Sequence, residues 1–384
     1  VLFCGATCTP IPAVPLLANP PVQINATIPA SLLTTPGVYA VRVFNPPPGG
    51  GLSFDQPFTV RVPAPPPPGY TVSVLPVPTV AGHPEHVTLV APGVAAVTLQ
   101  DRVQLVSLAG KSLIDAPIGV PSTAGFLGDI DADPARGIFV VTDPAGDTAS
   151  VVEVNFGDPA ASVITTVPVG YFPFGVAVNP TTNQAVVTNV GDLTLSVIDL
   201  GTKQLVRTIP LAGATNPTYV AVNPSTNLAV VVDQDFVGAS SAILVDVASG
   251  QVLRTLRVGV GATLPAVDPG LDEALVANSL DDSLALIDLG RRRVDRTIPV
   301  GQLPQGVAID AGAHRAMVAD TTSNDILFVD LQTFALGDVV KLGSGGAEAP
   351  FDLAWDVAGK VAIATSAAVG PVTRNNLILI DLPR

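Results

Sequence analysis

Asp129, Asp131 and Asp133, in the run GDIDADP, stand at the alternate spacing with which a calcium loop presents its oxygen ligands. The position six residues on from Asp129 is Ala135, and neither the loop glycine nor the distal glutamate of an EF-hand is present. The three aspartates are therefore the metal candidate of this chain, without the closing half of the motif. His83 and His86 flank Glu85 in HPEH, but Pro84 and a strand-like context break the helical spacing a zincin needs. His314, the remaining imidazole, matches a turn position on the opposite face, so a three-histidine metal centre is not expected. Cys4 and Cys8 in CGATC fit neither a haem motif nor a zinc set and read as a small loop-closing disulfide of an oxidising compartment. No G-x-S-x-G elbow is present, and glycine-rich stretches such as Gly343–Glu348 lack the Lys-Ser/Thr of a phosphate loop. No catalytic residue and no cofactor are expected on these grounds.

Other side chains suggest contact rather than catalysis. Tyr171, Phe172 and Phe174 cluster at one junction and are candidates for an interaction patch. Asn25 opens the sequon Asn25-Ala26-Thr27, a glycosylation candidate. The net charge of −14 and only four lysines argue against nucleic acid. No run of about 18 apolar residues exists to span a membrane. No secretory signal is visible, so the chain is expected to be a mature form or a fragment.

The elements that must carry these residues repeat. One phrase recurs from Val90 to Ser366 at spacings of 42 to 46 residues, best seen in DPARGIFVVTD (133–143), NPTTNQAVVTN (179–189) and NPSTNLAVVVD (223–233). DPGLDEALVAN (268–278) and DAGAHRAMVAD (310–320) follow, with degenerate copies at Val90 and Asp356. Each repeat divides into four short strands, as at 174–178, 184–188, 194–200 and 205–211, with turn residues between them. Strands this rich in Ala, Val, Leu and Ile must be buried on both faces, which radial packing of four-stranded units achieves. The last repeat ends after its third strand. Thr71–Val77 resembles the fourth-strand phrases, so residues 70–78 are expected to close a seventh blade. In the fifth repeat only two residues separate Pro265 from Asp268, which predicts a shortened inner strand. Asp143, Asn189, Asp233, Asn278 and Asp320 recur at second-strand ends and read as turn-capping residues.

The phrase PFGVAVNPTTNQAVVTN…LSVIDLGTKQLVRTIPLAG resembles the YVTN-type β-propeller repeat of bacterial and archaeal surface proteins, over about residues 70–384. The segment Ala26–Val60 resembles the C-terminal portion of an IPT/TIG-type immunoglobulin-like module whose opening strands are missing. The expected fold is all-β, a seven-bladed β-propeller (70–384) behind a partial immunoglobulin-like module (1–62) and a polyproline linker (63–69).

The expected function is that of a non-enzymatic extracellular or cell-surface structural and interaction protein. Its partners would be proteins or further copies of itself, assembled into filaments through the N-terminal module. The alternatives are a propeller enzyme, of the lactonase-like hydrolase or quinone-dependent dehydrogenase type, and a propeller that binds glycans through loop aromatics. A convergent set of unique polar residues at the channel mouth would favour the enzyme.

Overall fold

The computed structural model describes residues 69–78, 84–114, 116–342, 348–366 and 376–383, together with the backbone of six short strands nearer the N-terminus. The chain divides into two units, 1–64 and 65–384. In the first, the strands Cys8–Pro10, Leu2–Cys4, Gly37–Arg42 and Gln56–Val60 form one sheet in that order, and Ala13–Pro15 pairs with Ile24–Ala26. Cys4 and Cys8 face each other in the register of their strands, and Asn25 faces Val14. The side chains of these residues, most of the segment resembling an immunoglobulin-like module, the polyproline stretch up to 68 and His83 lie outside the described residues.

The second unit is an all-β, seven-bladed propeller. Its blades are antiparallel sheets whose strands follow one another in chain order, apart from the outer strand of the seventh. The inner strands are Pro84–Ala91, Ile130–Asp133, Pro173–Asn179, Pro217–Asn223, Ala262–Asp268, Pro304–Asp310 and Pro350–Asp356. Each packs beside the next, and the seventh packs on the first. Thr71–Pro76 pairs with Asn376–Asp381 and supplies the outer strand of blade 7, so the N-terminal end of the propeller is stitched to its C-terminal end.

Apolar clusters occupy the gaps between blades, such as Val230, Leu244, Val276 and Ile287 between blades 4 and 5. Small β-branched residues and alanines let adjacent sheets approach closely without voids. The fifth blade departs from the sequence reading. Its inner strand is Ala262–Asp268, seven residues long, the same length as in the third blade. Ala262 takes the place of the leading proline of the other inner strands, facing Asn278 as Pro173 faces Asn189. Pro265 is an internal residue of the strand, so the prolines are not equivalent.

Turn chemistry repeats with the blades. Asn189 accepts the Gly170 amide, Asn278 the Gly259 amide and Asp320 the Gly301 amide, at 3.1, 2.9 and 3.1 Å. At the opposite face, the residue ending one inner strand bonds a turn residue of the next blade. Asn179 donates to Asn227 and Asn223 to Asp272, each at 2.8 Å. His314 belongs to this series. Its Nδ1 lies 2.7 Å from Asp268, and its backbone has the left-handed conformation shared by Asn183, Asn227 and Asp272.

Candidate functional site

Six of the inner strands are broken by a register shift just after their first residue, as between Pro84 and Val87 or Pro350 and Leu353. A bulge of this kind re-aims the side chain it carries. The third position of each inner segment forms one column around the ring: His86, Asp129, Gly175, Tyr219, Leu264, Gly306 and Asp352. Its seven positions hold five residue types, whereas the scaffold columns repeat Asp or Asn. At Gly175 an added Cβ would lie 2.4 Å from the Thr218 carbonyl oxygen, and at Gly306 one would lie 2.6 Å from that of Phe351. These glycines let neighbouring blades close up and leave the polar members to fill the centre.

Three of those polar members meet. His86 Nδ1 lies 3.4 Å from Asp129 Oδ1 and 3.3 Å from Asp352 Oδ2. The ligand atoms of all three fall within 4.8 Å of one another. They come from blades 1, 2 and 7, and all are buried. The backbone holds both carboxylates. Asp129 accepts the Ile130 and Val176 amides at 2.8 and 3.2 Å, and Asp352 accepts those of Leu353 and Val87 at 2.8 and 3.0 Å. The clamps beneath are threonines of the second strands. Thr98 receives the His86 amide at 2.9 Å, and Thr365 receives the Asp352 amide at 3.1 Å while donating to the Glu85 carbonyl at 2.8 Å. Thr142 donates to the Phe174 carbonyl at 2.6 Å, joining blade 2 to blade 3.

Aromatic rings surround the imidazole. Phe351, Tyr219 and Phe174 have centroids 5.6, 6.1 and 6.2 Å from it. From the level of Asp129 and Asp352 a cavity of about 350 Å³ runs along the inner strands past Thr88, Asp131, Val178 and Trp355. The rings around His86 are not among its walls, so the polar group sits at one end of the cavity. Asp131 is the next carboxylate along, accepting the Val178 amide at 2.8 Å and the Thr88 hydroxyl at 3.2 Å. No lysine or arginine is among the wall residues.

Burial alone would lower the His86 imidazole, but the charges of Asp129 and Asp352 outweigh it and hold the group up at about 9. Burial raises Asp129 to about 7, partly opposed by His86, and raises Asp131 to about 6 against the amides that hold it. Burial also pushes the Tyr219 hydroxyl up, with Asp129 and Asp352 adding to the effect.

The residues singled out in the sequence separate in space. Asp129 joins His86, Asp131 faces the cavity beside Thr88, and Asp133 caps its own turn, accepting the Ala135 amide at 3.0 Å with Arg136 at 3.5 Å. The alternate spacing expected of a calcium loop thus spreads the three along a strand. The aromatic trio divides as well. Tyr171 and Phe172 are exposed, while Phe174 enters the inner strand and packs on Tyr219 and His86. Asp352, Tyr219 and Phe351 were not foreseen. Aligning the third inner-strand position across repeats exposes Asp352 and Tyr219, while Phe351 stands one position before it.

No protein-family model matches the chain, and no curated protein does. Among solved structures, it is similar to Kuenenia stuttgartiensis hydrazine synthase, at 18% identity with a TM-score of 0.62, over 75% of this chain and 94% of that one. It is also similar to a streptogramin B lyase, at 10% identity with a TM-score of 0.64, over 82% of this chain and 98% of that one. At such identities the likeness establishes the propeller fold. Both neighbours are enzymes by name, and the expectation of a non-enzymatic structural protein is corrected accordingly. Repetition in every blade had favoured a scaffold, but the column that departs from repetition gathers its polar members at one point.

Proposed function

We propose that this chain is a propeller enzyme that cleaves a small neutral or cationic molecule by proton transfer at the polar end of its central channel. The carrying observation is that His86, Asp129 and Asp352, the titratable histidine and carboxylates of this column and each contributed by a different blade, converge where the cavity ends. Perturbed carboxylates in a pocket are what acid–base chemistry requires. Asp131 is the proton-transfer residue in this reading. It faces the cavity, is fixed by Val178 and Thr88, and titrates at about 6, close to working pH. His86, Asp129 and Asp352 polarise the reacting group and hold it in place. Three carboxylates in an otherwise mostly apolar wall, with no lysine or arginine, disfavour anionic substrates, including an acidic quinone cofactor, and favour hydrolytic or eliminative cleavage. The cavity volume suits a small molecule.

The YVTN-type character of the repeats, the IPT/TIG-type module and an extracellular or cell-surface location belong to the same proposal, on the sequence resemblance alone. The test is turnover on a panel of lactones, esters and substrates prone to elimination, comparing the native chain with Asp131→Asn. We expect at least a 100-fold loss of kcat with an unchanged melting temperature. Turnover that survives Asp131→Asn, or none across the panel, would overturn the reading.

A further inference from the structure

We propose that His86, Asp129 and Asp352 bind a divalent transition-metal ion at the end of the channel, with Asp131 the next carboxylate along the cavity wall. This deepens the reading above and rests on it.

Four observations carry it. First, the spacing fits. Ligands about 2.0–2.1 Å from a tetrahedral ion stand roughly 3.3–3.4 Å apart; His86 Nδ1 lies 3.3 and 3.4 Å from the two carboxylate oxygens, and all three ligand atoms fall within 4.8 Å of one another. Second, backbone amides already orient the carboxylates, including the oxygens that face His86. Val176 and Ile130 amides fix Asp129, while Val87 and Leu353 amides fix Asp352. Each carboxylate oxygen has a second lone pair to offer, and such outer hydrogen bonds orient metal ligands. Third, the charge is unbalanced. Asp129 and Asp352 face one imidazole in a buried place, with Asp131 the next carboxylate along the cavity wall, and a dication offsets what a single proton on His86 cannot. Fourth, Asp129 and Asp352 are among the walls of the cavity, which gives an ion a route in. Three protein ligands with a fourth position facing a cavity is the arrangement of catalytic rather than structural ions. One imidazole and two carboxylates, with no thiolate, suit manganese, iron(II), cobalt or zinc. An imidazole donor disfavours calcium and magnesium, which take oxygen. The ion would polarise a substrate oxygen or a bound water, and Asp131 would move the proton.

The experiment uses the full chain, stripped with chelator and titrated with manganese chloride by calorimetry and electron paramagnetic resonance. We expect one ion per chain and a nitrogen hyperfine coupling from a single imidazole in the native protein, a readout that needs no variant. Asp352→Asn should weaken binding about 100-fold, and Asp131→Asn by far less. Absence of binding at millimolar manganese, or bound manganese without the nitrogen coupling, would overturn the metal site. The two proposals fail separately. A stripped protein that binds no metal yet turns over in an Asp131-dependent way sinks the metal alone. A protein that binds manganese through His86 but shows no Asp131-dependent turnover sinks the catalytic reading.

Discussion

Replacing Asp320 by asparagine should stabilise the propeller at pH 8 and leave it nearly unchanged at pH 4. Asp320 closes the second strand of blade 6, the place Asn189 and Asn278 hold in blades 3 and 5. Those asparagines accept a glycine amide on Oδ1 and donate from Nδ2, Asn189 to Thr194 and Ser196 at 2.8 and 2.9 Å, Asn278 to Ser283 at 3.1 Å. Asp320 accepts the equivalent Gly301 amide, but its Oδ1 is buried without a partner and its neighbour is a second carboxylate, Asp325, which pairs with Lys341. Burial, then the charge of Asp325, raises Asp320 to about 8. In the unfolded chain an aspartate titrates near 3.9. Between these values the folded state keeps a proton that the unfolded state has lost, so stability falls as pH rises, by up to about 1.4 kcal/mol per unit. Lys341 and local relaxation take part of that, leaving on the order of 2–3 kcal/mol across the window. Asparagine carries no such proton and restores the donor toward Asp325. Thermal melts of both proteins from pH 4 to 9 should show a gap that widens to about 5 °C near pH 8 and then levels. A gap independent of pH, or an asparagine variant that melts lower at pH 8, would refute the reasoning.

Gly175→Ala should lower the melting temperature by several degrees, because the new Cβ meets the Thr218 carbonyl at 2.4 Å and the Tyr219 Cα at 2.8 Å, and overpacking of this kind costs about 1–3 kcal/mol. The near-ultraviolet circular dichroism of Tyr219 should shift with it, and an unchanged melt would contradict the close approach. A truncation beginning at Gly82 removes Thr71–Pro76 and leaves Asn376–Asp381 as an unpaired edge. Size-exclusion chromatography should then show aggregation, whereas an equally stable monomer would show that blade 7 stands without its outer strand.

The blade count was legible because period and strand pattern repeat, and repetition is what a scaffold leaves in a sequence. The fifth repeat misled because Pro265 was matched to the prolines that open other inner strands, although the residue in that place is Ala262. The site was illegible for a related reason. It takes one residue from each of three blades, with His86 and Asp352 separated by 266 positions. In the sequence His86 stands inside HPEH and Asp129 inside GDIDADP, local patterns that give no sign of a partner far along the chain. On a bulged inner strand the useful neighbours lie one blade away. Asp131 and Asp133 follow Asp129 along the chain, yet only Asp129 sits at the level of the imidazole.

The position of the site explains why closure and chemistry are coupled here. Blade 7 is assembled from both ends of the propeller, its inner three strands from residues 350–381 and its outer strand from 71–76. Asp352 belongs to the late segment and His86 to the segment just after the outer strand, so their contact exists only when the ring is shut. The Asp352 carboxylate takes the Val87 amide as well as facing His86, and Thr365 reaches the Glu85 carbonyl. These bonds cross the seam from blade 7 to blade 1. Asp129 then carries the contact into blade 2, where its other oxygen reaches the Val176 amide of blade 3. A cluster built between covalently consecutive blades would survive local opening of the ring. This one does not, because the pairing that holds the channel closed is also what brings the imidazole between its two carboxylates.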